Sequence, residues 1–299
     1  MISESFLQLN TIFISILIES IPFILLGVFI SGFIQMFVSE EMIARIIPKN
    51  RFLAVLYAII FGSLFPACEC GIVPIVRRLL LKGVPLHAGI AFMLTGPIIN
   101  PIVLFSTFIA FGNQWEMVIY RSGLALVVAF LIGIILSYQF KGNQLLEKAM
   151  LNTHTHHNHH SGRQTFLKKF VDMLRHAVDE FFSVGKYLIL GAFIAAAMQT
   201  YLKTSTLLEI GQTEVTSSIV MMFLAFVMSL CSEADAFIAS SFSSTFSTGS
   251  IVAFLVFGPM VDIKNTLMML SVFNKRFILI LISYIAIFVL VGSLLILRR

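Results

Sequence analysis

The chain has 299 residues, 58% of them hydrophobic and 12% charged, with a mean hydropathy of +0.97. Soluble domains carry roughly a quarter charged residues, so this composition excludes a water-soluble globular protein and a disordered one. The net charge of +5 bears on how loops sit at a membrane rather than on nucleic-acid binding, and three cysteines make no disulfide framework.

A membrane-spanning helix needs about 20 mostly apolar residues. Long runs of Leu, Ile, Phe, Met and Ala, without the short alternating segments of a β-barrel, point to helices. In chain order, the runs predict spans at 8–38, 52–70, 86–111, 117–139, 181–202, 215–237, 250–273 and 276–297. The opening M-I-S-E-S-F has no basic n-region and its apolar run is too long for a signal peptide, so it reads as the first span. The expected fold class is all-α: a polytopic membrane protein with about eight transmembrane helices in two similar halves with broken or re-entrant segments.

The basic residues set the expected orientation. Arg77, Arg78 and Lys82, the central linker with Lys141, Lys148, Arg163, Lys168, Lys169 and Arg175, and the C-terminal Arg298 and Arg299 share one face if there are eight spans. That predicts N-in/C-in, against which stand Arg45, Lys49 and Arg51 in the first outside loop. The organisation expected is a first membrane repeat over 1–140, a cytoplasmic linker over 141–178 and a second repeat over 179–299. Within the linker, His154, His156, His157, His159 and His160 form a run able to bind Zn, Ni or Cu. It reads equally well as an ion collector and as a polar tether with incidental metal affinity.

The halves align. L-G-V-F-I-S-G-F-I-Q (26–35) matches L-G-A-F-I-A-A-A-M-Q (190–199), and Gly27/Gly191, Gln35/Gln199 and Glu69/Glu233 are each 164 residues apart. G-P-I-I-N (96–100) matches G-P-M-V-D (258–262) at an offset of 162. Convergent membrane composition explains the apolar matches but not the aligned acids and Gly-Pro pairs. Four spans per half would make the repeats parallel; an odd count would make them inverted.

Ionisable residues at membrane depth are costly and face a bundle interior or cavity. Glu69, Glu233, Asp235 and Asp262 are such residues, with Glu19 a weaker candidate. Helix breakers sit beside them: Pro66, Gly71 and Pro74 near Glu69, Gly96 and Pro97 with Thr95 before Asn100, and Gly258 and Pro259 before Asp262. Lipid satisfies no backbone group that proline frees, so matched interruptions point to broken segments around a midplane binding site, although prolines that merely kink helices are the plainer reading. In F-P-A-C-E-C-G (65–71), Cys68 and Cys70 supply soft thiolates and Glu69 a hard carboxylate, a donor set for a thiophilic ion. Cys231 falls one residue from the position matching Cys68, close enough to join that pair across the halves. Against this, free cysteines often serve as small buried hydrophobes.

F-P-A-C-E-C-G-I-V-P (65–74) followed by T-G-P-I-I-N-P (95–101) resembles the predicted permease family that includes organoarsenical efflux permeases and copper/zinc effluxers. The commoner family form has serine where Glu69 stands, which favours a cation over a neutral organoarsenical. The resemblance implies a multi-spanning permease of a prokaryotic cytoplasmic membrane, with Cys68, Cys70, Gly71, Pro74, Thr95, Gly96, Pro97 and Asn100 at the family's motif positions, and a second permease subunit as a plausible partner. Homo-oligomers fit as well. No G-x-x-x-x-G-K-[ST] motif is present, so energy comes from a gradient or a partner, and neither cofactor nor nucleic acid is expected. Together these features point to a secondary transporter, not an enzyme, exporting a thiophilic metal ion or metalloid. The alternatives are a permease for an organic or lipid-linked anion, and a non-transporting subunit of a two-component permease complex.

Overall fold

The computed structural model describes residues 2–65, 68–140, 142, 144–146, 166–201 and 213–297. Its described residues form thirteen helices and no strand beyond an isolated bridge between Leu145 and Phe273. The first half holds α1 (Ile2–Phe37), α2 (Glu40–Ile46), α3 (Arg51–Leu64), α4 (Glu69–Leu81), α5 (Leu86–Ile99), α6 (Pro101–Ala110) and α7 (Trp115–Gln139). The second holds α8 (Phe166–Tyr201), α9 (Glu214–Met228), α10 (Ser232–Ser241), α11 (Thr248–Met260), α12 (Ile263–Leu270) and α13 (Lys275–Leu297). α8 begins within the stretch read as linker. Pro66 and the five linker histidines lie outside the described residues.

Six stretches are long and apolar enough to cross a membrane, two of them (Leu86–Ala110 and Thr248–Leu270) being helix pairs broken at Asn100 and at Val261–Asp262. The expected spans at 52–70 and 215–237 behave differently: each is a short apolar helix followed by a second helix that turns back. α3 runs parallel to α5, with Gly62 against Thr95, whereas α4 runs antiparallel to α5, with Ile72 against Gly96 and Leu80 against Gly89. One cavity is therefore lined by the start of α3 (Arg51), the end of α4 (Leu80), the start of α5 (Leu86, His87) and the end of α7 (Ser137). In the second half, α9 and α11 start side by side, Ser217 donating to Ser250 at 2.8 Å. α9 ends at Ser229, whose left-handed backbone (φ 46°, ψ 44°) reverses the chain into α10.

Each half therefore crosses the bundle three times and dips into it once. α1 and α8 are antiparallel neighbours, Gly32 packing on Met173 and Ala177, and Phe13 edge-on to Phe193. α7 and α13 are antiparallel too, Leu124 meeting Gly292 and Phe140 meeting Phe277. With odd crossings per half, the first turns of α1 and the last of α13 share one face, and residues 144–146 beside Val272–Asn274 lie on the opposite one. The N-in/C-in expectation required the linker and both termini to share a face, and they do not. The reason is the hairpins, which hydropathy cannot distinguish from spans.

The core follows the broken helices. α5 and α11 are buried along nearly their whole lengths, whereas α1, α8 and α13 turn many large apolar side chains outward, as lipid-facing helices do.

Candidate functional site

Four helix N-termini meet at the centre: α4 capped by Cys68, α6 by Asn100, α10 by Cys231 and α12 by Asp262. α4 packs on α12 and α6 on α10, so each tip meets one from the other half. α4 is seated by backbone contact with α1: a Cβ on Gly27 would collide with the Gly71 main chain, and one on Gly71 would lie 2.7 Å from the Phe23 carbonyl oxygen. Only glycine permits this approach. Pro74, Pro97 and Pro259 lie inside helices, and the breaks fall at 65–68, Asn100 and Asp262 rather than at these prolines.

The expected site residues divide by what they touch. Asn100 closes its own helix break: Oδ1 accepts from Val103 N–H at 2.9 Å and Nδ2 donates to the Gly96 carbonyl at 3.1 Å. Thr95 donates back to Ala91 O at 2.9 Å within α5. Both are satisfied locally. Glu69, 1% exposed, accepts from Ser232 Oγ at 3.5 Å with Oε2, while its Oε1 has no hydrogen-bond partner. Asp262 caps α12 by accepting from Asn265 N–H at 2.6 Å, and its other oxygen is likewise without a hydrogen bond. The buried Asp235 abuts Gly258, whose ideal Cβ would lie 3.1 Å from Oδ2; Glu233 is half-buried. Cys68 and Cys70 are buried free thiols in hydrogen-bonding reach of each other, whereas Cys231 is partly exposed and within reach of Glu19. Among the described residues no three of His, Cys, Asp and Glu are grouped as metal ligands.

Two buried cations escaped the sequence reading. Lys264 Nζ lies 3.9 Å from Glu69 Oε1 and 3.9 Å from Asp262 Oδ2, all about 1% exposed. Arg121, fully buried in α7, donates to Thr107 Oγ1 at 2.6 Å and to the Ser232 carbonyl at 3.1 Å, and its charge acts on Asp235 and Glu233. Each half thus lends a cation to the acids of the other. A charge alone in an apolar span is the signal that would have found Arg121.

Arg77 and Arg78, expected as loop charges, are buried as well. Glu180 of α8 holds both, at 3.3 Å and 3.2 Å, and accepts from Ser31 of α1 at 2.6 Å. Arg78 also donates to Gln35 at 3.0 Å. This cluster ties α1, α4 and α8 near the linker face. Chemically, the centre is a dry, charge-compensated junction with two thiols and four acids, reached by helix tips that can part without unravelling a full span.

A family model described as "Predicted permease" matches residues 5–297. "UPF0718 protein YcgR" of Bacillus subtilis is 74% identical over 98% of this chain and 98% of its own length. A Streptococcus mutans protein named "Putative two-component membrane permease complex subunit" is 48% identical over 92% of this chain and 90% of its own. "UPF0718 protein MJ0584" of Methanocaldococcus jannaschii is 24% identical over 46% of this chain and 38% of its own. No solved structure matches. The broken helices, the buried charges between them and this full-length match lead to one conclusion: the chain is a multi-pass membrane protein and belongs to the predicted permease family.

Proposed function

We propose that this chain is the conducting subunit of a secondary permease that exports a thiophilic metal ion or metalloid. The observation that carries the reading is the meeting of the α4 tip, bearing Cys68, Glu69 and Cys70, with Asp262 on the α12 tip. Thiolates select soft ions, and the nearby carboxylates add the negative charge a cation needs. Glu233, Asp235 and Cys231 extend the path along α10. Movement of helix tips against fixed outer helices gives alternating access, and proposing the two halves as inverted repeats supplies the two symmetric ways of opening. The described basic residues Arg45, Arg51, Lys82, Lys275 and Arg276 belong to the linker face, so that face is the cytoplasmic one and both termini are outside. In this setting the linker histidines collect ions on the cytoplasmic side. The name carried by the Streptococcus mutans relative supports work with a second membrane subunit.

A second reading has its own support. Lys264, Arg121 and four helix N-termini at the centre suit an organic or lipid-linked anion. Flux in proteoliposomes decides between them. Zn(II), Cu(I) and a trivalent arsenical are offered in turn to the native chain and to Cys68→Ser/Cys70→Ser. Flux of one of them, lost in the double variant, is expected. Flux indifferent to the serines, or none even with the partner subunit co-reconstituted, rejects the soft-ion reading and turns the search to anions.

A further inference from the structure

The Lys264 ammonium is placed unusually for a lysine at membrane depth. It is equidistant, at 3.9 Å, from one oxygen of Glu69 and one of Asp262. A charge-assisted hydrogen bond would be about 2.7–2.9 Å. Both oxygens are buried and neither has a hydrogen-bond partner among the described residues. The ammonium also faces Cys70 on α4 and Glu19 on α1, and Asp235 on α10 senses its charge. It is thus ringed by four groups that would serve a soft or borderline cation as ligands: a thiol and three carboxylates.

We propose that Lys264 is the resident counter-ion of the central site, holding between Glu69 and Asp262 the place that a transported cation takes. The inference rests on the permease reading above and adds what occupies the site when no substrate is there. An unloaded carrier that left these carboxylates bare would bury uncompensated charge, at a cost of several kcal/mol per ion. An ammonium tethered to the protein removes that cost, and its loose fit makes it displaceable. Zinc bonds oxygen at about 2.0–2.2 Å and sulfur at about 2.3 Å, so an arriving ion would draw in donors that the ammonium now keeps apart. Only the side chain need move. The backbone at Lys264 is pinned by α8, where a Cβ on Gly191 would come within 2.9 Å of the Lys264 Cα.

The test is zinc binding by the purified full-length chain in detergent, with the five linker histidines changed to alanine so that the central site is read alone. Zn(II) is titrated against a chromophoric chelator. Lys264→Met should bind one Zn(II) at least tenfold tighter than the parent, Lys264→Arg no tighter than the parent, and adding Glu69→Gln to Lys264→Met should remove the gain. Zinc bound equally or more weakly by Lys264→Met overturns the proposal, as does zinc bound by neither protein. Should Lys264→Met not fold, Lys264→Gln carries the same expectation, since it drops the charge and keeps most of the chain. Binding is read without flux, so a failed transport assay and a failed counter-ion leave different marks: the first is silent vesicles, the second an unchanged zinc affinity.

Discussion

The two broken crossings, α5–α6 and α11–α12, have the same construction and opposite electrostatics. At the first break, the neutral Asn100 satisfies both sides of the gap, and the residue two further on is Ile102, exposed on the outside of the bundle. At the second, Asp262 caps with one oxygen and leaves the other facing Lys264, which is wholly buried. A break therefore does not by itself make a charged site. The charge was placed in one copy only, which gives a pseudo-symmetric frame a single polar centre between Glu69 of one half and Lys264 of the other.

The sharpest way to break the comparison is to exchange the caps. Asn100→Asp adds a buried carboxylate with no cation provided for it, while Asp262→Asn takes from Lys264 one of its two nearest carboxylates. Losing one member of a buried ion pair typically costs about 3–5 kcal/mol. Thermal unfolding in detergent should show a large loss for Asn100→Asp and a loss of that order or somewhat less for Asp262→Asn; equal tolerance of both exchanges would mean the halves are electrostatically alike. Glu180→Gln belongs to the same class, because it strands Arg77 and Arg78, and about 3–5 kcal/mol is expected from it on the same assay. Next come the matched glycines. Gly27→Val and Gly191→Val each force a side chain into backbone, α4 in one case and α12 in the other, at about 1–3 kcal/mol or more. The Gly27 variant should lower monodisperse yield more, since the Gly71 main chain stands closer. Smaller still, Asn100→Ala removes only a helix cap, about 1 kcal/mol. A much larger drop would mean that Asn100 does more than close its own break. Alanine at all five linker histidines should leave the melting temperature unchanged and reduce flux only modestly.

Much of this frame can be read from the sequence. The acids at 69 and 233, the Gly-Pro pairs before 100 and 262, and the all-helical apolar chain mark where the helices break and which tips meet. The direction of travel cannot be read in the same way. A 14-residue apolar helix followed by a polar tip and a returning helix has the hydropathy of one span, so 52–70 and 215–237 pass for crossings, and two miscounted crossings change the predicted face of everything after them. The cations are hidden for a related reason. Arg77 and Arg78 look like loop charges because they precede Lys82 and Gly83, yet Glu180, 102 residues further along, makes their burial tolerable. Lys264 sits two residues after an acid in a short polar patch, and only the fold places it beside Glu69.

The linker after Gln139 is the sole covalent join between the halves, yet they are fastened by α1 on α8, α7 on α13, α6 on α10 and α4 on α12. Fission of the gene there should therefore be survivable. Two separately translated polypeptides, ending and beginning within that stretch, would each carry half of the central junction. They should find one another in the bilayer as subunits do, so that a heterodimer does the work of the single chain.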